Sequence, residues 1–104
     1  MKVGERVGAI LGHSNNVLSF LGYGVYVGDE VPITAAGQVA EIMVEEGISN
    51  PKIRLDNGKI VWGCECWWGG EASVKKQVEK AANAGVEVIE VDIDKVRKDF
   101  AIGE

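Results

Sequence analysis

Val3 to Leu11 alternates loosely between apolar and polar or small residues, which predicts a strand. His13-Ser14-Asn15-Asn16 follows, and its asparagines tolerate left-handed turn geometry, so a hairpin is expected there. The next strand, Val17 to Val27, sets Val17, Leu21, Tyr23, Val25 and Val27 on one face and Leu18, Phe20, Gly22, Gly24, Tyr26 and Gly28 on the other. Three side chains are missing from the second face, and glycine inside a strand marks a bulge, a bend or the close approach of a backbone or a ligand. Asp29-Glu30-Val31-Pro32 then turns away.

The period lengthens after Pro32. Thr34 can cap a helix from Ala35 to Glu46, with Val39, Ile42 and Met43 as its apolar stripe and Gly47 past its end. Asn50-Pro51 marks a turn. Lys52 to Asp56 and Lys59 to Trp67 are β-rich runs around Asp56-Asn57-Gly58, which predicts a type I′ hairpin. Gly69-Gly70 should break that strand before a helix from Glu71 to Ala84, with Val74, Val78, Ala81 and Ala82 inward and Gly85 after it. Val86 to Ile93 alternates as a last strand, and Asp94 to Phe100 reads as a short helix. The fold class expected is α+β: a mainly antiparallel sheet of about five strands, two main helices and a short C-terminal helix.

The chain has 104 residues, 46% of them hydrophobic and 26% charged, which suits one globular domain, residues 1–104, with one core. Twelve of the 14 glycines precede residue 71, and no segment repeats or forms a linker. A net charge of −5 lacks the basic stripe that duplex nucleic acid requires. With no run of about eighteen apolar residues and no apolar leader core, no membrane partner is expected and the location expected is cytoplasmic.

Cys64-Glu65-Cys66 on a strand would place both thiols on one face, but a zinc needs two more ligands and His13 is the sole histidine. Reduced, metal-free cysteines are expected, and no cofactor. No catalytic triad is visible. Glu65, beside Trp67, could have a raised pKa and serve as a general acid, although such a glutamate more often faces solvent.

Trp62, Trp67 and Trp68 fall on both faces of one strand and its end, so some must lie at a surface, an oligomer interface or a ligand wall. Gly69-Gly70 ahead of a helix can admit an anion to free N–H groups, and Lys75 and Lys76 lie in that helix's first two turns. The segment suits a pocket that stacks a base and holds a phosphate, with Arg54 and Arg97 as available forks. Tyr23 and Tyr26, near glycine-flattened surfaces, complete the candidate ligand-binding set of Arg54, Trp67, Trp68, Gly69, Gly70, Lys75, Lys76, Arg97, Tyr23 and Tyr26. So much aromatic area on a small chain also predicts a homo-oligomer.

Two stretches, GYGVYVGDEVP at residues 22–32 and NPKIRLDNGKIVWGCECWWGG at residues 50–70, resemble a motif pair of small phage and prophage proteins, and within that group the Thoeris anti-defence sponges. That resemblance covers about a third of the chain. It implies a small α+β protomer, assembly into dimers or larger rings, and sequestration of a cyclic ADP-ribose isomer or a cyclic oligonucleotide without turnover, in the host cytoplasm if phage-encoded. No binding residue of that family is carried onto this chain. The function expected is therefore a nucleotide-signal sponge binding a small phosphorylated nucleotide-type ligand. Alternatives are a protein-docking inhibitor with a Trp-rich surface and, third, a hydrolase acting through Glu65 or the Asp29-Glu30 pair.

Overall fold

The computed structural model describes the chain from Met1 to Gly103 and its side chains as far as Asp99. Six strands form one sheet: β1 (Arg6–Ser14), β2 (Val17–Glu30), β3 (Asn50–Leu55), β4 (Ile60–Trp62), β5 (Trp67–Gly70) and β6 (Glu87–Glu90). Three helices accompany it: α1 (Gln38–Glu45), α2 (Glu71–Asn83) and α3 (Ile93–Gly103). The expected α+β class is what forms. The strand order is β4-β3-β2-β1-β5, all antiparallel, while β6 pairs in parallel with the first residues of β2, Val17 to Phe20. The long β2 thus has β1 along one side and, on the other, β6 followed by β3.

Both hairpins form; the first has the left-handed turn expected, and the second has a different turn type. Asn15 and Asn16 have φ of 52° and 61°, the two positive values a type I′ turn requires. Asn57 has no positive φ; Gly58 alone does, at 88°, and its N–H donates to the Leu55 carbonyl at 2.9 Å. The Asp56-Asn57-Gly58 loop is therefore a type I turn closed by a left-handed glycine, not the type I′ turn expected.

The predicted alternation of β2 fails at its centre. Ala9 pairs with Gly22 but Ile10 pairs with Phe20, so Leu21 is an extra residue, and Gly22 takes φ 136°. The side-chain phase flips there. Leu21 packs with Val7, Ala9, Tyr26, Ile53, Leu55, Val61 and Ile93, whereas Tyr23 packs with Ile10, Leu18 and Val74. Val7 and Ile10 lie an odd number of residues apart on β1, so the two clusters occupy opposite faces of the sheet. Two cores replace the single one expected.

Glycines bring these layers together. A Cβ on Gly24 would stand 2.7 Å from the Leu55 Cα, so the missing side chain of the glycine face admits the backbone of β3. A Cβ on Gly8 would stand 2.7 Å from Val74 Cγ1, and its absence seats α2 directly on β1.

The strand expected over Lys59 to Trp67 is broken by a 3-10 turn at Gly63–Glu65. Residues 63–66 carry the chain from β4 at one edge of the sheet to β5 at the other. Five flat strands would separate those edges by roughly 19 Å, more than a segment containing a tight turn can span, so the sheet coils around its inner cluster. Gly69-Gly70 ends β5 rather than breaking it, pairing with Gly8 and Val7.

Helix α1 is shorter than expected, starting at Gln38 with no side-chain cap. The Thr34 hydroxyl instead accepts the indole N–H of buried Trp62 at 2.7 Å. Of the helix, only Ala40 is buried, and the stripe predicted to face inward leaves Val39 and Ile42 in solvent.

Candidate functional site

Between the end of the β1–β2 hairpin, the start of β5 and the second half of α2 lies a groove of about 550 Å³. Its apolar lining is Ile10, Leu18, Ala81, Ala84 and Val86, and its polar groups are His13, Gln77 and Lys80. Trp67, 79% exposed, stands as one wall. Local causes explain the hollow. Val74 is drawn down onto Gly8, but about two to three turns later the residues facing the groove are Ala81 and Ala84, and Gly12 offers no side chain from β1. Gln77, Lys80, Ala81 and Ala84 recur at helical spacing on one side of α2 and its end. Lys80 belongs to the last turn of α2, where the macrodipole favours a cation. Together these groups offer an aromatic face, a fixed positive charge, an amide and an imidazole around an apolar floor, which suits a flat ligand carrying negative charge.

Of the expected ligand-binding residues, Trp67 alone lines this groove. Trp68, the next residue of β5, points to the other face and stacks on Tyr26 with ring centroids 5.5 Å apart and 13° between planes. The Tyr26 hydroxyl donates to Asp29 at 2.5 Å, and that bond, with burial and the carboxylate's charge, holds its pKa above the ordinary phenol value. Tyr23 packs edge-on against Phe20 at 4.9 Å. Burial raises its pKa, helped by the charges of Glu71 and Glu79. Gly69 and Gly70 are committed to the β1 ladder, and the first turn of α2 carries Glu71, ion-paired to Arg6 at 2.7 Å. A carboxylate already stands where an anion was expected. Lys75 and Lys76 are exposed on α2 outside the groove lining. Arg54 is exposed and forms no ion pair among the described residues. It sits across β2 from Arg6, at the end of β1 remote from the groove, since both pair with Val25.

Arg97 is not an open fork. Its Nε donates to Glu65 Oε2 at 2.9 Å, and its Nη2 donates to Glu65 Oε1 at 2.7 Å and to the Ile60 carbonyl at 2.8 Å. Glu65 Oε1 also accepts the Trp62 N–H at 3.1 Å. Both carboxylate oxygens are therefore engaged, and Glu65, placed by the 3-10 turn rather than by a strand, ties α3 to β4. The same turn separates the cysteines: Cys64 is exposed, while Cys66 is half-buried with its thiol against the Trp62 carbonyl at 3.4 Å. Burial, with the Glu65 charge, pushes the Cys66 thiol up to about 12; burial also raises that of Cys64.

Sequence reasoning missed His13, Gln77 and Lys80. The legible signal was the stripe on α2 from Gln77 to Ala84, in which small side chains face a predicted strand beside a lysine. The chain matches no family model, no curated protein and no solved structure.

Proposed function

We propose that the protein is a binding protein that sequesters a small phosphorylated nucleotide-type ligand in the groove beside Trp67 without altering it. The observation carrying this reading is the solvent-exposed Trp67 indole facing an apolar groove that holds Lys80, Gln77 and His13. The volume falls in the range of small-molecule sites, roughly 300–1,000 Å³. Stacking of a base on the indole contributes about 1–3 kcal/mol, and a charge-assisted bond from Lys80 about 1.5–3 kcal/mol. The sponge resemblance of residues 22–32 and 50–70 supports a cyclic ADP-ribose isomer or a cyclic oligonucleotide as the ligand.

Calorimetric titration with both ligand classes, followed by chromatography of the ligand recovered after denaturing the complex, tests the reading. Binding with intact recovery is the expected result. Trp67→Ala and Lys80→Ala should each weaken binding about tenfold or more, with unchanged far-UV circular dichroism. Recovery of a cleaved product would make the protein an enzyme, and no heat across the panel would remove the ligand from this groove.

A further inference from the structure

We propose that the segment from Ile33 to Ile48, centred on α1, is a docking surface for another protein that presents an apolar centre bordered by lysine and arginine. Five large apolar residues of this short segment face solvent: Ile33, Val39, Ile42, Val44 and Ile48 are 43% to 75% exposed. Val39 and Ile42, three residues apart, share one side of α1, and neighbouring exposed apolar side chains mark interaction sites whereas scattered single residues do not. The arrangement is held from beneath. Pro32 and Ala40 are buried, Trp62 donates to Thr34, and the Asn50 amide contacts the Met43 sulfur at 3.5 Å.

Charge identifies the occupant. Glu41, Glu45 and Glu46 are exposed, and the segment contains no lysine, arginine or histidine. None of the three takes part in an ion pair among the described residues. Glu45 and Glu46 also stand at the C-terminal end of α1, where the macrodipole disfavours carboxylates and no basic residue offsets it. A basic partner relieves both repulsions while covering the apolar residues. A second copy of this chain would bring the same three carboxylates to a shared two-fold interface, so like charges would meet.

Fluorescence anisotropy with a fluorescein-labelled amphipathic peptide of leucine and lysine, and a control with glutamate in place of lysine, tests the proposal. The wild-type protein should bind the lysine peptide at micromolar concentration and not the glutamate peptide. Ile42→Asp should weaken binding about tenfold or more. The combined Glu41→Gln, Glu45→Gln and Glu46→Gln variant should lower affinity and flatten its salt dependence. Trp67→Ala should bind as the wild type does. Absence of binding, equal binding by Ile42→Asp, equal binding of the glutamate peptide, or loss of binding in Trp67→Ala would each overturn the proposal. So would sedimentation velocity showing a concentration-dependent dimer that Ile42→Asp dissociates, which would assign the face to a second copy.

Discussion

Gly24 and Gly8 are positions where one methyl group has no room. The atoms a Cβ would meet at Gly24 are the backbone of β3, which cannot rotate aside, whereas at Gly8 they belong to the Val74 side chain and the Tyr23 ring. Gly24→Ala is therefore expected to cost more than Gly8→Ala, with overpacking of roughly 1–3 kcal/mol as the scale, read as the shift of the urea unfolding midpoint. Equal midpoints for the two variants would contradict the contact made by Gly24. The cysteines differ just as sharply. With Cys66 half-buried and its pKa pushed up to about 12, maleimide at neutral pH should modify Cys64 alone in the folded protein and both residues in denaturant, as peptide mass spectrometry would show.

Among the elements, α3 is held on the sheet by buried Ile93 and by the Arg97 fork on Glu65, whose side chains are only 17% and 8% exposed. Arg97→Ala strands a carboxylate beside the Trp62 amide. Loss of one partner of a buried pair costs up to about 3–5 kcal/mol, so this variant should unfold at distinctly lower urea, while Arg54→Ala, altering an exposed arginine, should not. The helices also differ in anchorage: α2 is seated on Gly8 through Val74, but α1 buries only Ala40. Amide protons of α1 are expected to exchange well ahead of those in α2 and β1, since local opening there exposes little apolar surface.

For the whole molecule, ion pairs and the half-buried Cys66 thiol define a pH window of stability. The hydrogen-bonded Arg6 guanidinium lowers the pKa of Asp56, and Lys59 does the same for Asp92. Carboxylates depressed in the native state contribute stability that is present above the unfolded value of about 3.9 and lost as pH falls below it. Cys66 acts in the opposite direction: its raised native pKa contributes stability present below about 8.5, the free-thiol value, and lost as pH climbs toward about 12. Urea midpoints should form a plateau between these limits, and Cys66→Ala should lose less stability than the wild type across the alkaline limb. Local pattern alone determined the α+β class, the helix ends before Gly47 and Gly85 and the Asn15-Asn16 turn, because each follows from a few adjacent residues, whereas which tryptophan is buried was decided only by the fold. Only tertiary pairing decided the phase flip at Leu21, the turn that parts Cys64 from Cys66, and the engagement of Arg97 by Glu65. The same holds for the groove, where only Trp67 of the expected binding residues meets His13, Gln77 and Lys80. Alternation reports a residue's face only while the period stays unbroken, and a bulge or a coiled sheet resets that period through contacts between residues far apart in the chain.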